Sequence, residues 1–226
     1  MRIAGFMVKI AGLLLTLAVA TIVLPARAGS VPVVQVEFSN PDLSPSHWTL
    51  TIRLDGNGHF QSQRGRAPTE EQPAIDPPSV DRDVKLTEEF VGRVFQVAQN
   101  RKLFKGECES HLKVAFQGWK KISYSGPEGS ATCEFNYSKD REIQALSESL
   151  VAVATTIVEG AKLESLLQHD RLGLDREMEY LADAVNDGRA QQICTIQGIL
   201  ERLADDSEVM ERVRRRARGL LALAEK

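Results

Sequence analysis

The chain has 226 residues, 42 % of them hydrophobic, with 28 basic and 31 acidic side chains and a net charge of −3. That length is enough for one large domain or two small ones to bury a core without covalent help. The mildly acidic balance argues against a general polyanion binder and favours solubility.

The first 28 residues read as a secretory signal peptide. Arg2 and Lys9 make a basic start, Ile10 to Leu24 is an uncharged and mostly apolar run, Pro25 breaks it, and Ala26-Arg27-Ala28 is a small-residue cleavage signal. The rival reading is an uncleaved anchor, but the run is shorter than the roughly 20 residues that span a bilayer. No cysteine follows the run, which speaks against a lipid-anchored form. Cleavage after Ala28 would leave 198 residues. The leader holds three basic residues and no acid, so the charge would move to −6. No later segment is apolar for long enough to cross a membrane, so the expectation is an exported protein, periplasmic or secreted, that does not span one.

Period-two alternation then predicts strands. Val34, Val36 and Phe38 share one face, and Trp48, Leu50, Ile52 and Leu54 share the next, with Asp55-Gly56-Asn57-Gly58 turning the chain into a return strand near Phe60. Residues 61–86 hold Pro68, Pro73, Pro77 and Pro78 among polar residues and read as a long exposed loop. A helix follows, with Thr87 as its cap, Glu88 and Glu89 at its positive end, and Phe90, Val94, Val97 and Ala98 as its apolar stripe. Leu112, Val114 and Phe116 predict a strand, Gly118 a bulge or turn, and Ile122 with Tyr124 a continuation. Ala131, Cys133, Phe135 and Tyr137 share a last inward face.

From 139 onward the pattern is helical. Ile143, Leu146, Leu150, Val153 and Ile157 step by three and four, with Ser138 as cap and Gly160 as stop. Asp175 is expected to cap the next helix and Gly188 to end it. Ile193, Ile196, Ile199, Leu200 and Leu203 form another face, and Asp206 or Ser207 should cap a last helix carrying Val209, Val213, Ala217, Leu220 and Leu221. The fold class is therefore α+β. Residues 29–138 should form a small, mostly antiparallel sheet with one helix, and 139–226 an antiparallel helical region. Trp48, Leu50, Ile52, Phe90, Val94, Phe116, Ile122, Phe135, Ile143, Leu146, Leu150 and Ile157 are the expected core.

Three cysteines remain outside the leader: Cys108, Cys133 and Cys194. In an oxidising compartment the simplest count is one pair plus one leftover. Cys108 and Cys133 flank the same antiparallel unit and are the expected disulfide, whose loop closure stabilises by about 3 kcal/mol. Cys194 reads as a buried free thiol. A metal site built on Cys108 and His111 lacks the paired motifs that would complete four ligands, so no metal or other cofactor is expected.

Two resemblances follow from these stretches. Val213-Arg214, Ala217 and Leu220 in "DDSEVMERVRRRARGLL" resemble the V-R-x-x-A-x-x-L helix of a HEAT-type repeat, over about one helix pair. "GWKKISYSGPEGSATCEFNYS" with "DRLGLDREMEYL" resembles a group of uncharacterised exported bacterial proteins, and the first half alone resembles a widespread bacterial domain of unknown function. Neither resemblance implies an activity or carries catalytic residues.

The remaining constellations have structural explanations. "DGNGH" (Asp55, Asn57, His59) echoes a calcium loop, yet Phe60 and Arg66 stand where glycine and glutamate are needed. Arg212, Arg214, Arg215, Arg216 and Arg218 are a candidate anion-binding cluster. However, Glu208 and Glu211 lie four residues before Arg212 and Arg215, so an ion-paired solvated face is the default, and nucleic acid is not an expected partner. Asn136-Tyr137-Ser138 matches a glycosylation sequon. Elbow, phosphate-loop and H-E-x-x-H motifs are absent, and His47, His59, His111 and His169 are isolated, so nothing in the sequence names an enzyme. The leading expectation is a non-catalytic module that binds a protein partner outside the cytoplasm. The alternatives are an anionic-surface binder using the arginines and a hydrolase with a carboxylate or histidine site.

Overall fold

A computed structural model describes residues 31–63 and 78–224, so the leader and most of the proline-rich loop lie outside the described residues. Six strands form one antiparallel sheet: β1 (Val33–Ser39), β2 (His47–Arg53), β3 (Asn57–Gln63), β4 (Asp81–Lys85), β5 (Trp119–Gly126) and β6 (Gly129–Phe135), in the order β4-β3-β2-β1-β5-β6. Five helices follow the alternation of the chain: α1 (Glu88–Asn100), α2 (Arg141–His169), α3 (Leu174–Asn186), α4 (Gln197–Asp205) and α5 (Glu211–Ala224). The fold is α+β.

The period-two faces build the sheet as read. One inward row crosses five strands, Phe60, Leu50, Val36, Ile122 and Cys133, each residue opposite the next. All five are buried. A second row places Phe38 against Trp48, their rings stacked at 5.3 Å. Outward positions such as Gln35, Glu37, Thr49, Thr51 and Ser123 are polar. The β2–β3 turn is held by Asp55, whose Oδ1 accepts from the Asn57 N–H at 2.9 Å.

Helix α1 starts where Thr87 Oγ1 accepts from the Phe90 N–H. It lays Phe90, Val94 and Ala98 into the same core as the sheet. Helix α2 then does something the sequence reading missed. Instead of stopping at Gly160 it runs unbroken for 29 residues, about 43 Å at 1.5 Å per residue. Its first half supplies Ile143, Leu146, Leu150, Val153 and Ile157 to the sheet core, and Leu163 and Leu166 belong to a second core shared with α3, α4 and α5. Gly160 is buried against Ile196, where an added Cβ would lie 2.3 Å from Ile196 Cγ2. The glycine marks a close crossing, not an end.

Several local expectations are corrected. Residues 105–118 are irregular, because the chain after α1 must loop past the edge of β6 before it can pair as β5; Leu112, Val114 and Phe116 do not form a strand. Phe116 is 48 % exposed and is not core. Leu54 lies past the end of β2 in the turn and is exposed. The expected loop 61–86 is shortened from both sides, by β3 reaching Gln63 and by the edge strand β4. Asp140, not Ser138, caps α2, with Oδ1 accepting from the Glu142 and Ile143 N–H groups. Helix α3 begins after Gly173, which leaves Asp175 for α5. Asp206 ends α4 and accepts from the Glu208 N–H within the turn, so it does not cap α5.

Gly160→Val is expected to destabilise the protein by about 2 kcal/mol through overpacking, and Ile196→Ala in the same chain should recover part of that loss. Urea unfolding of the two single variants and the double variant measures both.

Candidate functional site

The two cores leave a groove of about 390 Å³ where the end of the sheet, α2 and the end of α3 meet. Its apolar lining comes from Phe38 on β1, Leu43 in the β1–β2 loop, Val151 on α2 and Tyr180 on α3. Leu43 and Tyr180 are substantially exposed. Concave, mostly apolar sites with a few polar groups at a junction between packed units are where ligands and partner side chains usually bind.

Lys120 is the least ordinary group in this lining. It lies on the inward face of β5, in phase with Ile122 and Tyr124, and is 4 % exposed. Its Nζ donates to the Asn136 carbonyl at 2.7 Å and to the Gly118 carbonyl at 3.2 Å, and stands 5.8 Å from the centre of the Phe135 ring. Burial holds the ammonium below its ordinary pKa, against the opposing charges of Glu148 and Glu109. Glu148, also in the groove, accepts from Gln144 Nε2 at 2.8 Å. At the far end the Tyr180 ring carries two cation contacts, with Lys162 Nζ at 5.9 Å and the Arg189 guanidinium at 5.5 Å from its centre. The groove thus has apolar walls and charges of both signs on its rim.

A strap formed by residues 105–118 passes beside it and contributes Gln117 to the lining. Leu112, Val114 and Phe116 are exposed along it, and the Phe116 ring meets that of Trp119, the exposed first residue of β5, edge to face at 6.3 Å. The strap is pinned at three points. Cys108 and Cys133 stand at disulfide distance, with S–S 2.18 Å and Cα–Cα 5.7 Å, which ties its start to the inward face of β6. Glu109 Oε2 accepts from the Asn136 N–H at 2.6 Å, and these backbone donors lower the Glu109 pKa. The Asn136 side chain accepts from the Gln117 N–H and donates to the Ala115 carbonyl, so the sequon amide has a structural use. Gly118, at φ +103°, crosses directly over the Phe38 ring, where an added Cβ would lie at 2.5 Å.

Four of the five arginines in the cluster form ion pairs. Arg212 and Arg216 both reach Asp175 of α3, at 2.7 and 2.6 Å, while Arg214 and Arg218 reach Glu211 at 2.5 and 2.7 Å. Arg215 is exposed and makes none of these pairs. The expected Glu208–Arg212 and Glu211–Arg215 pairs do not form. Glu208 precedes the first turn of α5, so the helical spacing does not apply to it, and it pairs with Arg171 at 2.7 Å. Arg212 and Arg216 therefore tie α5 to α3, while Arg214 and Arg218 pair within α5.

The histidines stay apart. His59 sits between Asp81 and Asp83 at 3.1 and 2.9 Å, His111 contacts Glu107 at 2.6 Å, and His169 lies at the end of α2. Among the described residues no group of three or more His, Cys, Asp or Glu could hold a metal ion, and no described helix is long and apolar enough to cross a membrane. Cys194 is partly buried, with its Sγ 3.5 Å from the Lys85 carbonyl oxygen, and burial raises its pKa. Comparison with known protein families and with curated proteins finds no match to this chain.

Replacing both Cys108 and Cys133 with serine should lower stability by about 3 kcal/mol and speed proteolysis within 105–118. Urea unfolding and mass mapping of early cleavage sites test the two effects.

Proposed function

We propose that this protein is an exported, non-catalytic binding module that holds an apolar segment of a protein partner in the groove between its two cores. The observation that carries the reading is the groove itself, with Leu43, Val151 and Tyr180 as walls and Lys120, Glu148 and Arg189 as fixed charges around it. An apolar segment gains by leaving water for such walls, and rim charges of both signs select among partners more than they add affinity. Export is supported by the leader-like residues 1–28 and by a cysteine pair at bonding distance, an arrangement favoured outside reducing compartments.

A photo-crosslinking residue at position 151 should trap a discrete adduct in cells, whereas the same residue at position 51, on the outward face of the sheet, should not. Leu43→Asp, on an exposed loop, should weaken capture at least about tenfold without shifting the unfolding midpoint. Equal adducts at both positions, or capture indifferent to Leu43→Asp, would refute the groove as the contact surface.

A further inference from the structure

Beneath the groove, the seam between α2 and α3 holds three ionisable groups in a nearly dry setting. Glu159 on α2 is 4 % exposed and Glu177 on α3 is 9 % exposed. Lys162 reaches both, with Nζ 2.7 Å from Glu159 Oε1 and 3.6 Å from Glu177 Oε1. Glu159 Oε2 is buried and no donor reaches it. Two carboxylates facing one ammonium leave a buried negative charge unmatched. Burying an unmatched charge costs several kcal/mol, and a carboxyl escapes that cost by keeping its proton. A proton on Glu159 also lets its carboxyl hydrogen-bond to Glu177, which two carboxylates cannot do.

Among the described residues no further charged side chain pairs with Glu159, Lys162 or Glu177. On α3 the next titratable neighbour is Tyr180, whose ring faces Lys162, and Arg189 lies over that ring but pairs with Asp187 at 3.1 Å. From the turn that precedes α4, the group meeting this part of α2 is the aliphatic Ile196 against Gly160. Burial pushes the Glu159 pKa up to about 8, reinforced by the Glu177 carboxyl and opposed by Lys162. Burial works against the charge on Lys162 as well, but the attraction of Glu159 prevails and raises it.

We propose that this seam is a proton-operated latch on the groove: a proton held by Glu159 opposite Glu177 keeps α3 against α2, and its loss loosens α3 together with the groove wall formed by Tyr180 and Arg189. The consequence for partner binding rests on the groove reading; the latch itself does not. The direction follows from linkage. Between the ordinary glutamate value of 4.5 and about 8, the unfolded chain has released this proton and the folded chain retains it. The stabilisation is therefore complete below the lower value and falls away as pH rises through that window. Above about 8 both states are ionised, and the seam holds two carboxylates around Lys162.

The test compares the exported protein with Glu159→Gln, an uncharged isostere that keeps a hydrogen-bonding end. The wild type should melt about 5 °C or more lower at pH 8.5 than at pH 5.5, and the variant should lose most of that difference. Hydrogen exchange of α3 amides, corrected for the intrinsic effect of pH, should rise at the higher pH in the wild type alone. Infrared spectra of the wild type should show a protonated-carboxyl C=O band at pH 7 that disappears by pH 9. That reading holds even where Glu159→Gln folds poorly, and Glu177→Gln is the second variant. Absence of the band at pH 7, or α3 exchange indifferent to pH, would overturn the latch. The apolar dye ANS separates the two ideas. Loosening of α3 with no dye bound at either pH would sink the groove and leave the latch. Dye bound equally at both pH values on a rigid α3 would sink the latch and leave the groove.

Discussion

The architecture depends on α2 remaining one helix through Gly160. Helix termini expose backbone groups that need partners, and a stop at Gly160 would place those groups between two apolar clusters. The missing side chain avoids this by letting Ile196 close onto the helix surface. One rigid rod therefore serves the sheet core with its first half and the helical core with its second. Side-chain bonds fasten the two halves beside it. Arg82 of β4 makes two hydrogen bonds to Glu164, which also pairs with Arg202 of α4. Thr156 donates to the Gln191 carbonyl, and the Gln192 side chain accepts from the Thr87 N–H at the start of α1. These contacts fix the helical core relative to the sheet, and the groove is the space left between them.

The strap works on the same principle at the other edge of the molecule. A fourteen-residue irregular segment, 105–118, has few backbone partners of its own, and its apolar side chains point to water. Its order comes from the Cys108–Cys133 link, the Glu109 and Asn136 hydrogen bonds, and the glycine that lets it cross Phe38. Those anchors share residues with the setting of Lys120, whose amine donates to the Asn136 and Gly118 carbonyls. The wall of the groove and the path of the strap are consequently one hydrogen-bonded unit.

Much of the sheet was legible because a strand's faces are set by a period of two that any stretch displays by itself. The inward row of Leu50, Ile122 and Cys133 follows from it, as does the Thr87 cap from the residue types around it. The same rule misread Leu112, Val114 and Phe116, whose alternation lacks a neighbouring strand to pair with. Lys120 was visible in phase with Ile122 and Tyr124, but a charged residue in an inward phase draws the eye only when burial is known. Glu159 was the lone charged residue in the mostly apolar stretch from Ala152 to Ala161, a signal that pattern reading passed over in favour of the glycine beside it.

The sequence by itself determined the alternating faces, the helical second half and the two cysteines suited to pairing, because each is written in residues near one another or in a simple count. Tertiary structure alone decided that Gly160 is a crossing point, that Asp175 and Glu211 pair with four of the five arginines, and that two glutamates share one buried lysine. Those outcomes depend on which side chains from distant segments end up within a few ångströms. Such distances are set by how whole elements pack, and no local period encodes them.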